Sequence, residues 1–460
     1  MKLSRSFISA TREMSTLENR VPAPYLRKTV HIGNDIAKAE ISVCGLGFYR
    51  FWLNGVELTR GHLSPYVSAA DDVMDYDVYD LTDALIPGEN VLGFLLGNGM
   101  QNGFGGYVWD FEKASWRSAP KLAVCLRLTG SDGSLTEIEA DETFVCAPSP
   151  TVSDELRMGE EYDARLEIPG WNLPGFDDSA WTPAIPAETP RGESVVCEAH
   201  PIVCTYELKP VDIRSDVELT FARRSERFVG YLYDFGENCA GVPTLRITGQ
   251  PGQKISMIFG EHVGEDGTFT VDNLWFIRDE YIDMPLYVQR DDYICKGGEE
   301  EIWTPSFTYH GFRYALVWGI TPEQATKDRI AVTVGGDGDD VLIVAAGLTL
   351  EPQLLPGAGE EAGQALFHGD AQALLVHVSQ SQNFSGVIIH YNGGNQTLFI
   401  KFQIHIITSQ KCRFHGAIAL DRGFLPRRSG KWMRPDLHPP WAGRGKAARS
   451  LRRSLRRRWR

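Results

Sequence analysis

Long apolar runs are scarce in this 460-residue chain. The best candidate, residues 341–350 (VLIVAAGLTL), is about half the roughly 18–20 residues that a membrane-spanning helix needs. The N-terminal stretch MKLSRSFISATREMSTLENR carries early positive charge, but polar residues interrupt it before any apolar core of signal-peptide length, so no secretion signal and no membrane partner are expected. Eight cysteines (44, 125, 146, 197, 204, 239, 295 and 412) include no Cys-x-x-Cys pair. That excludes zinc-type spacing and leaves reduced, mostly buried thiols of a cytoplasmic protein as the expectation. Also missing are His-Glu-x-x-His, Gly-x-Ser-x-Gly and a P-loop. GLG at 45–47 and GNGMQNG at 97–103 lack dinucleotide-binding spacing, and GGDGDD at 335–340 lacks the remaining ligands of a calcium loop.

Charge of one sign is missing locally as well. Residues 1–330 hold 29 basic and 51 acidic residues, residues 331–400 hold no Lys or Arg and 7 acids, and residues 401–460 hold 17 basic and 2 acidic residues. A folded surface rarely distributes charge in this way, so a change of character is expected near residue 330.

What is present points to β-structure. The 46 Gly and 25 Pro imply many turns, and no long amphipathic helix separates the candidate strands. In AEISVCGLGFYRFWLNGVEL, Asn54-Gly55 predicts a tight hairpin flanked by Leu53 and Val56. Further on, DLTDAL predicts one capped helical turn, Pro87-Gly88 a reverse turn, and residues 91–96 a buried strand. A Pro- and acid-rich span from about 169 to 210 reads as a long irregular connection. After it, PTLRITGQPGQKISMIFGEH predicts a second hairpin about residues 250–253. In SFTYHGFRYALVWGI the apolar pattern changes phase at His310-Gly311, which predicts a β-bulge with His310 in a structural role.

Chemistry is thinly signalled. The acid pairs Asp71-Asp72, Asp154-Glu155, Glu160-Glu161 and Asp177-Asp178 cannot flank one bond from adjacent strand positions, and are read as solvated turns. Trp109 and Trp116 could stack on a sugar ring, and Asn98 and Asn102 could bond to its hydroxyls, so these four form the candidate carbohydrate-binding set. No catalytic or metal-binding residue is assigned.

Three stretches together resemble the N-terminal half of bacterial α-L-rhamnosidases. GLGFYRFWLNGVEL with YDVYDLTDALIPGENVLGFLLGNG is similar to the family's first β domain, a galactose-binding-like jelly roll. MGEEYDARLEIPGWNLPGFDDSAW resembles the segment that closes it. YDFGENCAGVPTLRITGQPGQKISMIFGEHV with DDYICKGGEEEIWTPSFTYHGFRYALVWGI resembles the concanavalin-like second β domain. The likeness runs from about residue 20 to 327. It implies an all-β fold class: two consecutive β-sandwich domains (1–205 and 206–327), with 328–460 as an unrelated, irregular or disordered segment.

In the family an (α/α)6 barrel follows and hydrolyses terminal rhamnosides with inversion, its acid lying in an Asp-Cys-Pro-x-Arg-x-Glu motif. This chain has no Cys-Pro dipeptide. The resemblance therefore implies the accessory domains of a glycoside hydrolase without its catalytic centre, inactive alone. Its implied partners are rhamnose-containing glycans, with no cofactor, although related sugar-binding modules sometimes use calcium. Two other readings are a non-catalytic carbohydrate-binding protein and an interaction protein whose basic tail recruits nucleic acid; specific nucleic-acid recognition is not expected. For 328–460, an unrelated domain, a disordered extension and an out-of-frame product compete, and the last accounts for most of the charge swing.

Overall fold

Asn54 and Gly55 turn the chain with φ of 50° and 86°, and Leu53 pairs with Val56 across that turn as expected. The computed structural model describes residues 2–16, 18–104, 111–221, 224–274 and 287–336, with four short strands at Ile343–Ala345, Leu374–Val376, Val387–His390 and Thr397–Ile400. Strands dominate it. The DLTDAL segment makes its single helical turn, started by the Asp80 carboxylate accepting from the Thr82 amide at 2.9 Å.

The first domain is a sandwich of two antiparallel-rich sheets. One is centred on Lys121–Gly130, Ile36–Leu46 and Val73–Asp80, the other on Pro24–Ile32, Gly88–Leu96 and Tyr49–Leu53. Alternate residues of each strand face inward: Ile41, Val43, Leu122, Val124 and Leu126 from the first sheet meet Leu26, Phe51, Leu92, Phe94 and Leu96 from the second.

The span expected to be an irregular connection does lack long strands, yet it is packed. Trp171 and Trp181 lie over the outer face of the second sheet, Trp171 stacked on Tyr25 with centroids 4.0 Å apart. A Cβ on Gly93 would lie 3.0 Å from the Trp171 ring, so glycine at that strand position allows the indole to settle on the sheet. The buried Arg27 anchors this strap through Asp178 and the Leu173 carbonyl, 3.2 Å away.

Chain crossings define the second domain. Hairpin Thr151–Glu155/Gly159–Asp163 leaves the first domain and pairs in parallel with Arg290–Ile294 of the second. The chain then returns to the first domain for Ile185–Ala187 and Glu193–Val196. The 24-residue strand Arg224–Ile247 pairs early with Asp212–Phe221, then with His310–Trp318, and at its end with Ile330–Gly336. Gly236, at φ 82°, lies at the register break between Asp234 and Cys239. That break stands on the strand facing His310, and not at His310-Gly311 where the phase change placed it.

The expected second hairpin is instead an arch. Gln253 closes a turn onto Gln250 (2.9 Å), but Arg224–Ile247 and Lys254–Gly260 do not pair. They face each other across the core, where Leu245 and Ile247 pack with Ile255, Met257 and Phe259. The second domain also extends through Ile330–Gly336, beyond residue 327.

Candidate functional site

Asn98 and Asn102 are both fully buried, which takes them out of any surface sugar site. Asn98 Nδ2 donates to Asp154 Oδ1 and to the Val21 carbonyl, each at 2.8 Å, and Asn102 Nδ2 donates to Asn98 Oδ1 at 2.7 Å. The Asn102 Oδ1 accepts from the Ser15 amide at 3.0 Å. Buried amides satisfied in this way hold loops together. Trp109 lies outside the described residues. Trp116 is half-buried, edge-on to Phe111, and borders a cleft of about 300 Å³. Phe48, Met100 and Gln101 line that cleft with the exposed Tyr66 and Val67. Tyr66 is the aromatic that sequence reading missed, since nothing local distinguishes an exposed tyrosine from a packed one.

Two of the four acid pairs are also not where they were expected. Asp71, Asp72 and Asp177 stay at or near the surface. Asp154, Glu155 and Glu160 are buried at the seam between the domains. Asp154 Oδ2 accepts from the Asn98 and Gly99 amides at 2.6 and 2.9 Å, and burial pushes its carboxyl up to about 6. Glu160 Oε2 accepts from the Ser306 and Phe307 amides at 2.8 and 3.1 Å. Burial first, then the charges of Asp154 and Asp291, push Glu160 up to about 8. The Glu155 carboxylate takes the Tyr287 hydroxyl at 2.7 Å. Adjacent acids on a strand do point to opposite faces; what the pattern could not show is that a second domain covers one of those faces.

The seam is built around residues 306–308. Phe307 is 1% exposed and inserts into the first domain's aromatic cluster with Tyr25, Phe48 and Trp171. Arg50 Nη1 donates to Ser306 Oγ at 3.0 Å, and His62 Nε2 meets the Thr308 carbonyl at 2.8 Å. His310 pairs with Asp291 at 3.0 Å with both side chains wholly buried, so its role is structural, as the sequence implied. These carboxylates are occupied by backbone donors and closed to solvent, so they cannot place an acid and a base around a glycosidic bond. Among the described residues no group of three or more His, Cys, Asp or Glu side chains is arranged to hold a metal ion. The seven described cysteines are unpaired, and Cys44, Cys125, Cys146 and Cys295 are buried.

Two consecutive β-sandwiches joined by a buried polar seam define the class of protein to which the described residues belong. Residues 34–206 match the alpha-L-rhamnosidase N-terminal domain, and residues 227–335 match the bacterial alpha-L-rhamnosidase concanavalin-like domain. An alpha-L-rhamnosidase of Formosa agariphila is 32% identical over 329 residues, covering 68% of this chain and 32% of that protein. The structure of alpha-L-rhamnosidase from Dictyoglumus thermophilum superposes with a TM-score of 0.60 at 29% identity, covering 74% of this chain and 37% of that one. The Streptomyces avermitilis alpha-L-rhamnosidase complexed with L-rhamnose gives 0.58 at 27% identity, covering 71% and 30%. This chain thus belongs to the bacterial α-L-rhamnosidase family, of which it carries the N-terminal and the concanavalin-like domains. It spans about a third of the length of the curated relatives it matches.

Proposed function

We propose that this chain supplies the accessory β domains of an α-L-rhamnosidase that removes terminal α-L-rhamnose from glycosides, and that the chain alone does not hydrolyse them. The supporting observation is the seam. Asp154, Glu155 and Glu160, the buried members of the paired acids, are spent on hydrogen bonds that hold the hairpin against the two β domains. Purified protein incubated with an aryl α-L-rhamnoside is expected to release no rhamnose above a blank, and release above it would overturn the proposal.

The cleft beside Trp116 supports a second reading, in which the first domain binds sugar without cleaving it. Tyr66 and Trp116 offer apolar ring faces at one opening, where the Gln101 amide nitrogen braces the rim through the Trp116 carbonyl and Ser118 Oγ. Retention on a rhamnosylated matrix is expected to fall at least about tenfold in Tyr66→Ala, with thermal stability unchanged because Tyr66 is 65% exposed. Equal retention of both proteins would remove the cleft from consideration.

For the segment beyond Gly336, the charge swing supports an origin in a shifted reading frame. Translating the underlying nucleotides from that point in the other two frames is expected to yield a barrel sequence containing Cys-Pro. Its failure to appear would sink the idea.

A further inference from the structure

The cleft beside Trp116 is lined by one charged side chain, Asp75, and by no lysine, arginine or histidine. Alternation along Val73–Asp80 settles which way it faces. Met74 and Tyr76 pack on the outer side of their sheet, whereas Tyr79 joins the core between the two sheets and Asp77 reaches Tyr49 there. Asp75 shares the inward face of Asp77 and Tyr79, at the end where the cleft opens, and is half-buried. Gly45 and Gly47 beside it carry no side chain to close that end.

The polar groups around Asp75 are committed elsewhere. Asp77 Oδ2 accepts from the Tyr49 hydroxyl at 2.5 Å, and that hydroxyl meets the Tyr79 hydroxyl at 2.7 Å. The Arg60 guanidinium lies 4.8 Å from the Tyr79 ring centroid and donates to the Val78 carbonyl. Lys121 donates to the Glu188 carbonyl at 3.0 Å. Among the described residues the Asp75 carboxylate itself takes part in no hydrogen bond or ion pair. With its amide nitrogen spent on the rim, Gln101 is left with Oε1, a second acceptor. A ligand that fits this cleft therefore brings an apolar face and several donors, and carries no negative charge. Two separate acceptors suit hydroxyls spread over a ring better than a single ammonium.

We propose that Asp75 selects the ligand of this cleft: its carboxylate accepts from two neighbouring hydroxyls of a neutral sugar ring lying against Tyr66 or Trp116, and it repels the carboxylate of a uronic acid. The proposal rests on the cleft being a sugar site and adds the group that recognises the hydroxyls. The two oxygens of one carboxylate can each accept from one member of a vicinal pair, and hydrogen bonds to an ionised acceptor are the stronger kind. The rings supply contact area, and Asp75 fixes orientation.

In calorimetric titrations of the full chain, methyl α-L-rhamnoside is expected to bind Asp75→Asn at least about tenfold more weakly than the unsubstituted protein, because the amide keeps the shape and loses the charge. Its isopropylidene acetal across O2 and O3, which has no vicinal hydroxyl pair, is expected to bind the unsubstituted protein weakly and to be indifferent to the substitution. Methyl α-D-galacturonoside is expected to be rejected by the unsubstituted protein and to gain affinity in Asp75→Asn, a change that loosening of the fold does not produce. If the rhamnoside binds Asp75→Asn as well as the parent while Tyr66→Ala weakens it, the role of Asp75 falls and the sugar site stands. Absence of rhamnoside binding to the parent overturns both, and tighter binding of n-butylammonium than of the rhamnoside overturns them in favour of a cation site. Should Asp75→Asn fail to fold, the unsubstituted protein decides: preference for the rhamnoside over its acetal and over the galacturonoside supports the proposal, and equal affinities refute it.

Discussion

Truncating Phe307 to alanine is expected to cost about 3–5 kcal/mol of folding stability, measured by chemical denaturation of the full chain. The ring is 1% exposed and belongs to the aromatic cluster that includes Tyr25, Phe48, Leu95 and Trp171. The space it leaves is bounded by rigid strands and by the strap, which cannot collapse into it. Gly97 gives an independent check, because a Cβ there would stand 2.4 Å from the Phe307 ring. Gly97→Ala should therefore be strongly destabilising in the unsubstituted protein and much milder in the Phe307→Ala background, where the methyl has room. A double-mutant cycle reads this coupling directly. Additive effects would show that Phe307 does not seat against Gly97.

The second large effect is expected at Asp154. Alanine there strands three buried donors, the Asn98 and Gly99 amides and Asn98 Nδ2. Each orphaned buried donor costs about 1–3 kcal/mol, so a loss of about 3–5 kcal/mol is expected at pH 7 after partial relaxation. Asp154→Asn retains one acceptor oxygen and should lose about half as much. Its pH dependence has a defined sign: with the folded carboxyl raised to about 6 from 3.8, the stability linked to it is complete below 3.8 and disappears as pH rises through about 6. Asp154→Asn should remove that slope, and denaturation midpoints at pH 4, 5 and 7 suffice to show it. An alanine variant as stable as the parent would mean that water replaces the carboxylate without cost.

Local chemistry was legible and pairing partners were not. Asn54-Gly55 could be read because positive φ at two successive positions is a property of those two residues. At Gln250–Gln253 the turn was real, but turn residues say only that the chain reverses, and whether the flanking strands pair or pack face to face depends on Glu301–Trp303 and Ile330–Gly336, far along the chain. The carboxamides of Asn98 and Asn102 offer the same donors to a sugar hydroxyl as to Asp154 and Asn98, so residue type alone does not separate the two roles. The strap from Trp171 to Trp181 looked irregular because its order comes from indole packing and from Arg27, not from hydrogen-bond periodicity. The seam was invisible for a related reason: Asp154 and Glu160 have ordinary strand spacing, and only groups remote in sequence, the Asn98–Gly99 loop for the first and the Ser306–Phe307 loop for the second, make their surroundings an interior.

The hairpin Thr151–Asp163 has a consequence in time. Its parallel partner lies 131 residues further on, measured from Glu160 to Asp291. At the usual pace of synthesis of about 5–20 residues per second, the hairpin waits roughly ten seconds for Arg290–Ile294 to emerge. During that interval Glu160, whose Ser306 and Phe307 donors are not yet made, remains in water, where a carboxylate is at ease, so the acid that burdens the finished seam keeps the waiting edge charged and protects it from pairing with the wrong strand.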